Sequence, residues 1–447
     1  MNKTSFDANR ESGLTKDLVS LVETKLSPVA IKYGYAETSL DQMIKWKPLV
    51  LVLGSYSSGK STLINELLGM PIQDTGQAPT DDSFTLITHS SGVERWEELE
   101  GTAVINDPDL PFRHLSKFGK RFASHLKMKR VAVPLLNEVV LIDTPGMLDS
   151  VSEKDRGYDY QAVISELAAL ADLIVVLFDP HRPGTVRETH ELLRRTLPAV
   201  SYENRTVFVL NRIDECENLN DLLRTYGTLC WNLSQMTGRK DIPKIFLSYR
   251  EHSGNSEGFL SLLGNQREAV KKNILDAPKH RLEHLVSFTE SHGKNLQYFL
   301  SVLEHYGRRR RDTQLKGFLV SLAAAGVFAA VIWLLWFFGA LPAYEFETLL
   351  LIIAGLGAVA CLTSLVVFQL TMMKRFHSHT MSDLEGLATI ESQAQGDAWA
   401  KVRTELESYL SQRQGRFSLL AVKRDSRKIR GFLNQVHSQA RSNLSKA

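Results

Sequence analysis

Two neighbouring apolar runs limit this chain more than any other feature. Gly317 to Leu341 reads GFLVSLAAAGVFAAVIWLLWFFGAL, 25 residues without a charge, and Thr348 to Met373 adds 26 more. At about 1.5 Å per helical residue, each run reaches roughly 37 Å, longer than the ~30 Å hydrocarbon core of a bilayer. A surface helix of a soluble domain keeps a polar face over such a distance. The pair therefore reads as a helical hairpin that crosses a membrane twice, turning at Pro342–Glu347.

The flanks set its orientation. Arg308, Arg309, Arg310, Arg311 and Lys316 precede the first run, and Lys374, Arg375 and His377 follow the second. The turn holds Glu345 and Glu347 and no base, so both outer ends are expected on the cytoplasmic side. Trp333, Trp336 and Tyr344 lie toward the turn, where amphipathic rings prefer the interface. Gly326, Ala329, Ala330, Gly355 and Ala358 are spaced for close helix packing. The polar N-terminal stretch MNKTSFDANRESG has no apolar core of a signal peptide. The expectation is an integral membrane protein with two spans and both termini cytoplasmic.

Composition narrows the remainder. A length of 447 residues allows two to four domains, and 43% hydrophobic residues exclude a disordered chain. Lys plus Arg number 53 against 50 Asp plus Glu, which excludes a polybasic nucleic-acid binder, so no nucleic-acid partner is expected. Cys216, Cys230 and Cys361 are too few for a disulfide framework and lack metal-ligand spacing.

The chemistry lies nearer the N-terminus. Leu49–Leu53 (LVLVL) reads as a buried strand and runs into Gly54-Ser55-Tyr56-Ser57-Ser58-Gly59-Lys60-Ser61, followed by a helical pattern from Thr62 to Leu68. Strand, glycine-rich loop and helix form the context a phosphate-binding loop requires. Its backbone N–H groups converge on phosphate oxygens at a helix N-terminus. Lys60 is expected to reach the β- and γ-phosphates, and the Ser61 hydroxyl to ligate Mg²⁺. Further strands follow. Val139–Ile142 ends in Asp143-Thr144-Pro145-Gly146, where Asp143 is placed to hold Mg²⁺ through water and the Gly146 N–H to sense the γ-phosphate. Leu173–Phe178 and Val207–Leu210 are two more buried strands, the second leading into Asn211-Arg212-Ile213-Asp214. The two carboxylate oxygens of Asp214 match the paired ring-edge donors of guanine, which adenine lacks. Pro79-Thr80 lies at the distance expected of a first switch, where Thr80 would close over the ion and orient the attacking water. Four motifs in order and in context outweigh their separate readings as structural turns.

Several longer stretches are more specific. KPLVLVLGSYSSGKSTLINELL, PTDDSFTLITH, Arg156-Gly157-Tyr158-Asp159-Tyr160, LFDPH at Leu177–His181 and Tyr226–Trp231 together resemble the EH-domain-containing (EHD) ATPases of the dynamin superfamily, over roughly Leu26 to Arg250. The resemblance implies a dynamin-type G domain, an α/β P-loop fold with a mostly parallel sheet, carried on an α-helical stalk. It also implies a homodimer or higher assembly through the G domain, contact with membrane, and slow, assembly-stimulated hydrolysis. In that family the Trp matching Trp231 lies at the dimer interface; from the sequence alone Trp231 reads equally as core.

The chain departs from the pattern in places. Met147 stands where small GTPases carry a water-orienting Gln, which leaves water positioning to the Thr80 region and to Ser57. Asp81 replaces a second Thr and adds negative charge near the phosphates, and Arg212 replaces the usual Lys, its stem and guanidinium still able to stack on a base. The segment Leu247–Arg250 is a weak fifth motif, and no C-terminal EH domain is expected. The base is left open: Asp214 argues for GTP and the EHD resemblance for ATP, with GTP ahead on hydrogen-bonding grounds.

Outside the G domain, helical spacing recurs over Leu14–Leu26 (stopping before Pro28), Glu268–Tyr306, Leu384–Leu410 and Ile429–Leu444. The expected organisation is N-terminal stalk helices at 1–45, the G domain at 46–265, a stalk helix at 266–316, the hairpin at 317–373 and C-terminal stalk helices at 374–447. The functional expectation is a membrane-anchored dynamin-like nucleoside triphosphatase that remodels, tethers or fuses membranes. The alternative is a nucleotide-gated scaffold with little hydrolysis.

Overall fold

The computed structural model describes residues 13–74, 82–92, 95–147, 156–181, 205–237, 243–250, 259–338, 346–388, 390 and 393–444. The expected switch residues Pro79, Thr80 and Asp81 lie outside them, as do Pro342 to Glu345 of the hairpin turn. The chain divides into two compact units, one of residues 1–23 and 38–288 and one of residues 24–37 and 289–447.

The first unit is built on an eight-stranded sheet. Its strands are β1 (Leu49–Gly54), β2 (Phe84–His89), β3 (Trp96–Glu100), β4 (Leu126–Val131), β5 (Val140–Asp143), β6 (Leu173–Phe178), β7 (Thr206–Leu210) and β8 (Ile245–Leu247). Their spatial order is β3-β4-β2-β5-β1-β6-β7-β8. The β2–β5 and β3–β4 pairs are antiparallel and the other five parallel, as the expected α/β P-loop fold requires. Every residue of β1, β5 and β6 is buried, since helices cover both faces of a mostly parallel sheet. One face is lined by Leu51, Leu53, Ile142, Ile174 and Val176, and the other by Val50, Val52, Leu141, Val175 and Val209. The helices that matter for the site are α1 (Lys60–Leu68), α2 (Tyr160–Leu170), α3 (Leu219–Thr237), α4 (Arg267–Leu275) and the start of α5 (Ala277–Phe337).

The second unit is helical. It holds most of α5, together with α6 (Phe346–Ser382), α7 (Gln393–Gln412) and α8 (Leu419–Leu444). Leu296, Phe299, Leu300 and Leu303 of α5 are fully buried, as are Leu406 and Leu410 of α7 and Ile429 and Phe432 of α8. These are the periodic positions of the stalk pattern, and the residues around Tyr33 join them: its ring lies 5.6 Å from that of Tyr409. The N-terminal helix does not stop before Pro28. A π-turn at Val22–Leu26 leads into a further helix, Ser27–Lys32, with Pro28 in its first turn. Proline is tolerated there because the N–H it lacks has no intrahelical partner at that position.

The apolar ends of α5 and α6 are each long and apolar enough to cross a membrane, by length and composition. They pack on each other through few contacts, among them Ser364 Oγ donating to Ser321 Oγ at 2.9 Å. Most of their large side chains face outward: Val320 is 64% exposed and Leu351 73%.

Candidate nucleotide-binding site

The site forms in the first unit at the C-terminal ends of β1 and β5. Burial of β1 drives the chain straight to the edge of the sheet, where the loop from Gly54 to Ser61 must reverse tightly. Two of its residues have left-handed backbones, Gly59 (φ +87°) and Ser57 (φ +61°). A serine in that region is uncommon and costs about 1 kcal/mol or more, the kind of local strain that surrounding contacts hold in place at ligand loops. Glycine is obligatory at two approaches. A Cβ on Gly59 would lie 2.5 Å from Asn211 Nδ2, and one on Gly146 2.8 Å from the Tyr56 Cα. The 143–146 turn is thereby laid against the loop, tied by Thr144 Oγ1 donating to the Val52 carbonyl (2.8 Å) and by the Met147 N–H donating to that of Gly54 (3.2 Å).

Lys60 opens α1 and points back over the loop. Its Nζ donates to the carbonyls of Gly54 (3.0 Å) and Ser55 (3.1 Å). Burial pushes its pKa down to about 8, with the Asp143 carboxylate opposing the shift and Arg156 adding to it. Next to it, Ser61 Oγ donates to Asp143 Oδ2 at 3.0 Å. The same oxygen accepts from Gln73 Nε2 at 2.8 Å, and Gln73 Oε1 accepts from Lys129 Nζ at 3.1 Å. Thr62 follows on α1, half-buried. The Tyr56 hydroxyl and Ser58 Oγ are buried without a hydrogen-bond partner among the described residues.

On the side of the base motif, Asn211 Nδ2 donates to the Ser58 carbonyl (2.9 Å) and so binds the end of β7 to the loop. Its Oδ1 accepts from Arg267 Nη1 at 3.1 Å. Arg212, another left-handed residue (φ +61°), turns its guanidinium onto the Ser57 carbonyl at 2.6 Å and pairs with Asp179 and Glu215. Asp214 sits half-buried in the 3-10 turn Ile213–Glu215, with no side-chain hydrogen bond or ion pair among the described residues. The weak fifth motif falls beside it: the Ser248 N–H donates to the Leu210 carbonyl, and Ser248 Oγ accepts from Arg267 Nη1 at 3.2 Å.

Four residues here carried no signal as site residues in the sequence. Gln73 and Lys129 stand behind Asp143. Arg267 joins Asn211 to Glu66 of α1, Nη2 lying 2.7 Å from Glu66 Oε2. Arg156, quoted above only as part of a resemblance, is 2% exposed; Nη2 donates to the Gly146 carbonyl (2.9 Å) and pairs with Asp82 (2.8 Å), and the guanidinium lies 4.4 Å from the Tyr160 ring centre. Its Nη1 is buried without a hydrogen-bond partner among the described residues. A buried arginine inside a loop motif is a signal in its own right, since such a charge is costly unless it is used.

The donor set suits the groups expected. A serine hydroxyl beside a carboxylate supplies the hard oxygens that Mg²⁺ takes, and a desolvated ammonium held by two carbonyls suits a phosphate. On α3, Trp231 is 67% exposed, so its reading as a core residue is set aside.

Comparison with known proteins places these features. Residues 50–213 match the family model described as "Dynamin family". EH domain-containing protein 1 of Homo sapiens is 32% identical over 277 residues, covering 60% of this chain and 50% of that protein. EH domain-containing protein 2 of Arabidopsis thaliana is 28% identical over 303 residues, covering 64% and 54%. The chain thus spans about half the length of the curated relatives it matches. A solved oligomerised bacterial dynamin pair aligns over 98% of this chain and 74% of that one, with 12% identity and a TM-score of 0.36, too low to bear on function. Residues 50–213 thus match the dynamin family model, and over about 60% of its length the chain is similar to EH domain-containing proteins.

Proposed function

We propose that the chain is a membrane-anchored P-loop nucleoside triphosphatase that couples nucleotide-driven pairing of G domains to membrane remodelling, tethering or fusion. The observation that carries the reading is the Lys60–Ser61–Asp143 cluster at the loop. In it, Gly54 to Thr62 wrap the phosphates, Lys60 pairs with the β- and γ-phosphates, and the Gly146 N–H faces the γ-phosphate. Ser61, Asp143 and Thr80 would hold Mg²⁺, which supplies charge neutralisation at the β- and γ-oxygens. Thr80 and Ser57 orient the attacking water. Asn211 supports the base pocket, and Asp214 accepts from the base edge. That role favours GTP, and it agrees with the lack of a competing side-chain partner for Asp214 among the described residues. Arg212 is turned to the Ser57 carbonyl and two acids, so stacking on a base would require it to leave them.

The apolar ends of α5 and α6 form the anchor, with the arginines before Gly317 and Lys374 and Arg375 after Met373 on the cytoplasmic side, together with both termini. Outward-facing side chains such as Val320 and Leu351 support this, because soluble proteins rarely expose contiguous apolar surface of that extent. Trp231 and Leu223, both exposed on α3, form the surface where a second G domain would dock.

A second reading, a nucleotide-gated scaffold with little turnover, is favoured by Met147. That residue is buried and bonded through its N–H to Gly54, so its side chain does not take the place of a water-orienting Gln.

Three measurements test these readings. Titration of the purified full chain with GTP against ATP is expected to show tighter GTP binding; tighter ATP binding would overturn the role of Asp214. Turnover with and without liposomes separates the two functions, since bound nucleotide with no turnover under either condition leaves only the scaffold. Deleting 317–373 is expected to release the protein from carbonate-washed membranes, and retention there would place the anchor elsewhere.

A further inference from the structure

Lys129 is out of place in its strand. β4 is an interior strand, its neighbours Met128 and Val131 are buried apolar residues, and Lys129 itself is only 6% exposed. An ammonium in such a place costs several kcal/mol unless its donors are used. Two of them are: Nζ donates to the Ile72 carbonyl at 2.7 Å and to Gln73 Oε1 at 3.1 Å. A lysine has donors only. It therefore fixes which end of the Gln73 amide faces it, and the NH₂ end must face the other way. That end donates to Asp143 Oδ2 at 2.8 Å, the oxygen that also accepts from Ser61. The backbone of Gln73 is clamped too: Asn65 Oδ1 accepts from the N–H groups of Ile72 and Gln73, and Asn65 Nδ2 donates to the Gln73 carbonyl at 2.7 Å.

We propose that Lys129 and Gln73 are positioning residues for the magnesium site, with the lysine charge setting the amide and the amide setting the Asp143 carboxylate. This rests on the nucleotide-hydrolase reading above. Without the lysine the amide is free to turn, and its oxygen would then oppose the carboxylate instead of donating to it. The consequence falls on metal affinity rather than on phosphate binding, since neither residue lies on the loop from Gly54 to Ser61.

The test uses the full chain in detergent, with Lys129→Met, Gln73→Met and the double variant, each confirmed folded by its circular-dichroism melt. Fluorescent nucleotide is titrated with and without Mg²⁺, and turnover is followed against Mg²⁺ concentration. Replacing residues that orient a metal ligand typically lowers metal affinity roughly 10- to 100-fold. Each single variant is expected to raise the Mg²⁺ midpoint within that range, with kcat at saturating Mg²⁺ and Mg²⁺-free nucleotide affinity changing less than about threefold. The double variant is expected to match the singles rather than multiply them, as two members of one relay should. An unchanged midpoint in folded Gln73→Met overturns the proposal, as does a fall in kcat with the midpoint unmoved. A wild-type chain that binds nucleotide without any Mg²⁺ dependence would instead overturn the hydrolase reading beneath it.

Discussion

Nucleotide binding should carry a proton with it above pH 8. Lys60 is desolvated in the nucleotide-free loop, and its pKa falls from 10.5 to about 8. At about 1.4 kcal/mol per unit, that is a penalty of about 3 kcal/mol on the charged form. A bound triphosphate demands the charged form and restores it, so above pH 8 the free protein must take up a proton to bind. Affinity is then expected to fall about tenfold between pH 7 and pH 9, while a site with an ordinary lysine would stay flat. The phosphates are fully ionised throughout the upper part of that window, so they add no slope of their own. The assay is calorimetric titration at pH 7.5, 8.25 and 9 in two buffers of different ionisation enthalpy; the difference between buffers counts the protons. Uptake of about 0.9 proton at pH 9 and only about a quarter of a proton at pH 7.5 is expected. The sign for stability runs the other way from binding. The unfolded chain holds the Lys60 proton up to 10.5 and the folded chain only to about 8, so this group adds stability as pH rises through that interval. Proton uptake near zero at pH 9, or an affinity constant from pH 7 to 9, would refute a desolvated, phosphate-facing Lys60.

Other outcomes follow from single contacts. Gly59→Ala meets both a left-handed backbone and an Asn211 nitrogen 2.5 Å from the new Cβ, so it should lose nucleotide binding and about 2 kcal/mol of stability; a wild-type melt with normal binding would contradict the loop geometry. Arg267→Met strands Glu66 and Asn211 and should cost about 2–4 kcal/mol by urea unfolding, moderated because Lys271 still pairs with Glu66 at 2.8 Å. Asp172 lies 2.8 Å from His284 Nδ1 and accepts the Leu49 N–H at 2.9 Å. Burial alone would raise its pKa, but the charge and hydrogen bond of His284, with Arg281, hold it below the usual 3.8. Its contribution is therefore complete above 3.8 and lost as pH falls through the lower folded value. Asp172→Asn should cost about 3–5 kcal/mol at neutral pH and remove that acid dependence; an identical acid-unfolding profile in the variant would rule it out.

Strands buried on both faces announce themselves as unbroken apolar runs, and so β1, β5, β6 and β7 are visible in the sequence. β3 (WEELE) and β4 (LKMKRV) are not, because an edge strand keeps its charges and a lysine such as Lys129 breaks the pattern. The three residues of β8 are too few to show a period. The loop from Gly54 to Ser61, Asp143, Gly146 and Asn211 are legible because each motif hangs directly on a strand end. Arg267 and Gln73 are silent for the opposite reason. Their roles exist only once distant segments meet, 201 residues apart for Arg267 and Glu66 and 70 for Gln73 and Asp143. The helix boundary at Pro28 misled because proline ends a helix when it lies inside one and begins one when it lies in the first turn.

The guanidinium of Arg267 ties together α1, Asn211 and Ser248. A chain made from its N-terminus emerges with its phosphate loop long before this tie exists, and Arg267 itself lies 54 residues beyond the last one matched by the family model. The tie behind Asn211 is thus completed last, in order of synthesis. A nascent chain halted between 250 and 267 would carry every motif named above and still lack the contact that fastens them to one another. The phosphate loop is thus fastened to Asn211 and Ser248 only after the final strand and the helix beyond it have docked.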